Sequence, residues 1–104
     1  MNQHLYLSKS NRKHKKYMIK FINPLTHKEN TVHFGDNRYN DYTTFSPNEK
    51  LKKKQLYLSR HRNEEWINPL KPSTLSRYLL WNKDTLKSSI NDMSKRFNIK
   101  ISLV

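Results

Sequence analysis

The sequence predicts an α+β domain: a β-hairpin and a C-terminal strand packed against about three helices, preceded by a basic N-terminal arm. Three observations carry that expectation. Tyr17 to Ile22 and Thr31 to Phe34 are short runs of strand formers on either side of a proline break. Leu86, Ile90, Met93 and Phe97 recur at steps of four, three and four, which places them on one face of a helix. Ile99, Ile101 and Leu103 alternate with Lys100 and Ser102, the period of a strand that joins the hairpin. A chain of 104 residues holds one domain, expected over 17–104, and one modest core. With 34% apolar residues, the tyrosines and phenylalanines must supply much of that core.

Residues 1–16 hold Lys9, Arg12, Lys13, Lys15 and Lys16 and no acidic residue, with Ser8, Ser10 and Asn11 interrupting any helical stripe. They read as a flexible basic arm. Three roles are open to it: an idle terminus, a phosphate-tracking tail, or a nuclear-localisation-type patch in KSNRKHKK. After the first strand, Asn23-Pro24 breaks the run, and the connection to the second strand is seven or eight residues long. Gly35, the only glycine, opens a turn with Asp36-Asn37 where positive φ is needed. A polar loop over 36–48 carries Tyr39, Tyr42 and Phe45, which are expected to pin it to the core.

Ser46 is the expected cap of the next helix, with Pro47 at its first position and Glu49 completing a capping box. Leu51, Gln55 and Leu58 share one face, widened by Leu56 and Tyr57, while Lys50, Lys52, Lys53, Lys54, Arg60 and Arg62 dress the rest. Residues 67–73 form a linker whose two prolines forbid helix, and Ser73 or Thr74 caps a short helix over Leu75, Tyr78, Leu79 and Trp81. The last helix follows Asn82-Lys83 in a helix-turn-helix-like corner, with Asp84 as its cap and Asn98 in the left-handed position past its end.

Charge is the dominant compositional signal: Lys and Arg number 21 against 8 Asp and Glu, a net +13. Such a field attracts polyanions, nucleic acid before anionic membrane surfaces or acidic proteins. Lysine outnumbers arginine 15 to 6, the mark of AT-biased coding more than of bidentate base recognition. No run reaches the roughly 20 apolar residues of a membrane span, and no signal peptide is expected. The absence of cysteine excludes disulfides and thiolate metal sites.

Catalysis has little support. No histidine pair has metal-ligand spacing, and neither a glycine-rich phosphate loop nor a serine elbow occurs, so no metal or cofactor is expected. His33 with Asp36 or Asp41, and His61 with Glu64 or Glu65, are the only acid–base pairs on offer. Arg60, Arg62 and Arg77 admit two readings. The first two would complement a helix C-terminus while Arg77 bridges to Glu64 or Glu65, or all three would form an anion clamp.

Taken together, His33-Phe34-Gly35, Asp41-Tyr42-Thr43, Tyr57, Arg60-His61, Glu65-Trp66 and the run Ser76 to Lys83 resemble a family of short basic proteins of nucleocytoplasmic large DNA viruses (giant viruses), a domain of unknown function. The resemblance spans about Tyr17 to Ile101. Its most specific piece is Leu79-Leu80-Trp81-Asn82-Lys83, followed by Thr85-Leu86 and Ser89-Ile90. The chain departs at Tyr78, where the pattern has tryptophan, and at Asp84, where it has proline. The resemblance implies a viral origin and supplies no activity.

The sequence therefore points to a non-enzymatic nucleic-acid-binding protein that neutralises phosphates through Lys9 to Lys16, Lys50 to Lys54, Arg60 and Arg62, with Arg77 as a further candidate and DNA ahead of RNA. The alternative is a virion structural or cement protein whose basic surface meets an acidic capsid or core partner. Either role would place it in the host cytoplasm (viral factory), the nucleus or the virion.

Overall fold

The computed structural model describes residues 3–104. Strands β1 (His4–Lys9), β2 (Lys15–Ile22), β3 (Glu29–Asp36) and β4 (Lys100–Leu103) form one mixed sheet in the order β3-β2-β1-β4. β1, β2 and β3 are antiparallel neighbours, whereas β4 runs parallel to β1. The α+β class and the β2–β3 hairpin are as the sequence predicts. Two expectations are corrected. Most of the stretch read as a flexible arm is structured: β1 lies inside the sheet, and only Met1 and Asn2 fall outside the described residues. Leu5 and Leu7 are the reason, since both are fully buried and alternate with Tyr6 at the strand period. The second correction concerns β4, which pairs with β1 rather than with the hairpin, from His4↔Lys100 to Leu7↔Leu103.

One face of the sheet carries Leu5, Leu7, Ile19, Phe21, Phe34 and Ile101, and the C-terminal helices close over it. The opposite face stays open. There His4 stacks on Tyr6 at 4.2 Å and reaches Ser102 at 2.7 Å, and His33 meets Ser10 at 2.7 Å.

The covering layer begins with α2 (Pro72–Leu75), which runs directly into a π-helical turn (Ser76–Leu80) closed by Trp81 N–H donating to the Ser76 carbonyl, five residues back. Pro72 thus begins a helix instead of forbidding one, since the missing N–H costs nothing at the first position. Lys71 is the cap residue, and Ser73 and Thr74 donate their hydroxyls to the Glu65 carbonyl instead of capping. Leu79 and Leu80, neighbours on this turn, are both buried in the core.

Helix α3 (Leu86–Phe97) buries Met93 and packs Leu86, Ile90 and Phe97 against the core, as its periodicity requires. Its cap is Thr85, one residue beyond the expected Asp84: the Thr85 hydroxyl accepts from Ser88 N–H at 3.1 Å. Asn98 ends it in the left-handed conformation, φ 51°. The corner before α3 is stapled by Asn82, whose side-chain amide donates to Asp92 at 2.7 Å and to the Tyr78 carbonyl at 3.3 Å. The bond from Asn82 holds the Asp92 carboxyl below its usual range, and Arg96 adds to the effect.

Gly35 has φ +77° as expected, but inside β3 rather than in a turn. A Cβ there would lie 2.7 Å from Leu80 Cδ1 and 3.1 Å from Lys16 Cβ, so the position joins sheet to helical layer by close approach. Gly35→Ala is expected to lower stability by about 1–3 kcal/mol through left-handed strain plus that clash. Urea unfolding would register it as a lower midpoint with an unchanged slope.

Candidate nucleic-acid interface

Helix α1 (Lys50–Arg60) stands at the margin of this fold. The expected capping box is only partly realised. Ser46 Oγ meets Glu49 at 3.2 Å and the Ser46 carbonyl accepts from Lys50 N–H, but regular helix begins at Lys50 with Glu49 as its cap residue. The inward face also differs from the leucine face expected. Tyr57 is buried, while Leu51 and Leu56 are 60% and 46% exposed. Tyr57 stacks flat on Trp81 at 4.5 Å, with interplanar angle 5°. Lys50 and Lys54 lay their ammonium groups over the Tyr42 ring at 5.0 and 4.8 Å. Ring stacking and lysine stems make this contact, so leucine counting could not find it.

Between α1 and the far end of the β2–β3 pair lies an open groove of about 930 Å³. The loop between β3 and α1 forms one wall, and Asp41 anchors it. Asp41 is 2% exposed; its carboxylate pairs with Lys16 Nζ at 2.5 Å and accepts from Thr43 N–H at 2.8 Å. Thr44 Oγ1 accepts from Asp41 N–H, and Tyr42 N–H donates to the Leu80 carbonyl at 3.0 Å. Tyr42 and Phe45 pin the loop as expected, Phe45 lying 6.1 Å from Trp81. Tyr39 does not; it is 69% exposed at the groove rim, with Arg38 over its ring at 5.9 Å.

The expected cations divide into two groups. Lys16 is neutralised by Asp41, and Lys50 pairs with Asp84 at 3.2 Å. Lys54 donates to the Asn82 carbonyl at 2.8 Å, and burial, followed by the charges of Arg77 and Lys83, lowers its pKa. Arg77 fits neither reading made of it. It lies between the rings of Trp66 and Tyr78 and donates to the Trp81 carbonyl at 2.7 Å, away from Glu64 and Glu65. Burial lowers its pKa also. Arg62 closes α1 by donating to the Ser59 carbonyl, the structural half of the expectation. These side chains hold carbonyls, rings and carboxylates, so they are occupied.

Lys9, Arg12, Lys13, Lys15, Lys52, Lys53 and Arg60 are exposed and form no ion pair among the described residues. Lys15 on β2 and Lys53 and Arg60 on α1 line the same groove, which brings together cations far apart in sequence. Three carboxylates also line it, each with a partner: Asp36 is forked by Arg38, Asp41 is held by Lys16, and Glu64 bonds His61. The Arg38 hydrogen bond holds the Asp36 carboxyl well below its usual range.

The acid–base pairs resolve differently. His61 meets Glu64, as the sequence allowed, and its ring lies tilted by 31° against Tyr57 at 4.3 Å. His33 meets neither Asp36 nor Asp41 but Ser10; burial lowers its pKa, with Arg12 and Lys15 acting in the same direction. No cluster of three or more metal-ligating side chains occurs among the described residues. Sequence reading missed Asp41 as the loop anchor, although an aspartate followed by Thr43 and Thr44 is a turn signal. The Lys16 partnership and the placement of Tyr39 had no local signal.

Residues 5–61 match the model of a family of unknown function, DUF5754. The chain belongs to that family. The matched segment holds Lys15, Lys53 and Arg60 and reaches His61, so every free groove cation lies within DUF5754. Trp81 and the helical layer over the sheet lie beyond it, as does the run Leu79 to Lys83 on which the viral resemblance chiefly rested. No curated protein and no solved structure matches the chain.

Two outcomes follow from the geometry. Asp41→Ala strands Lys16 and releases the loop, and is expected to cost about 3 kcal/mol in denaturant unfolding. Burial pushes the Tyr57 hydroxyl up to about 12 from 10.0. Between those values the unfolded chain loses the proton first, so stability is complete below about pH 10 and falls as pH rises toward about 12. Unfolding monitored across alkaline pH should show that fall, and Tyr57→Phe should remove its part of it.

Proposed function

We propose that this DUF5754 protein is a non-enzymatic nucleic-acid-binding protein that contacts phosphates largely without regard to sequence. The observation that carries this reading is the groove flanked by Lys15, Lys53 and Arg60, which form no ion pair among the described residues, Lys53 lying over the Phe45 ring at 5.7 Å, in a chain of net charge +13. Lys9, Arg12 and Lys13 extend the free charge along β1 and its turn into β2, and Lys52 extends it along α1. Lys16, Lys50, Lys54 and Arg77 are left out of the interface, because engaging phosphate would break bonds that hold the loop and the corner. The resemblance adds a large DNA virus as the source, DNA as the first polymer to try, and association with a genome in a viral factory, nucleus or particle.

One observation favours the competing reading, a virion structural protein seated on an acidic partner. Leu51 and Leu56 are exposed on α1 beside the lysines, and a protein surface would cover them where phosphates would not.

Fluorescence anisotropy with random-sequence oligonucleotides, both duplex and single-stranded, across a salt series tests the proposal. Binding should fall steeply with salt. Lys53→Glu and Arg60→Glu should each weaken it on every sequence and flatten the log–log slope by about 1. Weak binding of both forms at low salt would sink the reading and leave the acidic protein partner in its place.

A further inference from the structure

Within the proposed nucleic-acid reading, and resting on it, we infer that the groove takes a single strand, with bases entering against its aromatic wall while the free cations follow the backbone. Charge alone does not distinguish duplex from single strand, but the lining does. Tyr39 stands at the rim, and the half-buried Phe45 and Trp81, with Leu56 and the edge of the buried Tyr57, add aromatic and apolar surface among the charged lining. A duplex keeps its base faces stacked inside and would offer this surface only phosphate and sugar. An unpaired strand offers π-faces, and aromatic platforms beside a cationic track are how single strands are held without sequence preference. The volume, about 930 Å³, lies in the range of sites that enclose small ligands, which suits bases entering from a strand laid along the lip.

The groove is also built before any ligand arrives. The Tyr57–Trp81 stack fixes the α1 side, and the Lys16–Asp41 pair fixes the loop side. Asp36 and Asp41 are ion-paired and Glu64 is hydrogen-bonded by His61, while Lys15, Lys53 and Arg60 form no ion pair among the described residues, so an entering phosphate meets a lining with a net positive charge. Tyr39 has no structural work to do with its ring beyond the Arg38 contact, and its exposed face is the one a base would cover.

The test compares an oligothymidylate with a duplex of equal length at fixed salt, on the full chain and two variants. Tyr39→Ala removes the rim ring. Tyr6→Ala removes an exposed aromatic on the open sheet face, outside the groove, and serves as the control. The single strand should bind at least tenfold more tightly than the duplex. Tyr39→Ala should weaken it about fivefold or more, since stacking on one base is worth at least that much, and leave duplex binding unchanged. Tyr6→Ala should change neither. An oligouridylate arm separates the two sources of the chemistry: equal affinity means unpaired bases of either kind, and a preference names the polymer. Equal or tighter duplex binding would overturn the inference and leave the phosphate reading standing. So would a loss caused by Tyr6→Ala instead of Tyr39→Ala, which would move the strand to the sheet. If neither polymer binds, both proposals fall together.

Discussion

A single buried carboxylate holds the two halves of this molecule in register. Asp41 comes from a loop with no regular secondary structure, and it is anchored through its charge, its backbone and two neighbouring threonines at once. An ion pair removed from water is strong only when the remaining lone pairs are satisfied, and here Thr43 and Lys16 share them. Because Lys16 belongs to β2, the pair fixes the loop to the sheet. Tyr42 then ties the same loop to the helical layer through the Leu80 carbonyl and carries Lys50 and Lys54 of α1 on its ring. The groove wall, the placement of α1 and the close contact at Gly35 all meet within this short stretch.

The large positive charge therefore has two physical meanings. Part of it is structural. Lys54 and Arg77 neutralise the carbonyl ends left by the helical turn at Trp81 and Asn82, where a C-terminal dipole favours cations. Their aliphatic and planar surfaces also replace apolar packing that a 34% apolar chain lacks. Others, such as Lys15 and Arg60, form no ion pair among the described residues and are directed to solvent. Counting charges in the sequence merges these two populations, although only the second can be spent on binding.

Elements set by local signals were legible in advance: β4 and α3 follow from alternation and four-three-four spacing, and β2 and β3 from runs of strand formers on either side of a proline break. β1 was obscured because Arg12, Lys13, Lys15 and Lys16 close behind it suggested an arm, although Leu5, Tyr6 and Leu7 already alternate. Helix starts slipped by a few residues, as at Thr85 and Lys50, because several candidate caps stand side by side and backbone geometry selects among them. Of the candidate site, the α1 cations and Lys15 were identified, while the groove joining them was not. Its walls come from residues brought together by Asp41 and Trp81, and no spacing along the chain encodes that meeting. Arg77 was misjudged for a related reason, since its environment is made of two aromatic rings instead of the acids nearby in sequence.

The parallel pairing of β1 with β4 has a kinetic consequence. The antiparallel strands β1, β2 and β3 can form early, since their turns are short and local. Until β4 docks, one edge of β1 keeps its backbone groups unpaired beside the buried Leu5 and Leu7. Closing His4 onto Lys100 spans nearly the whole chain, and such long-range closure is what slows folding. On a ribosome, β4 is made after every other element, so β1 waits through the synthesis of all three helices with an open edge that another chain could pair. The last strand therefore sets the period during which the nascent protein is open to aggregation.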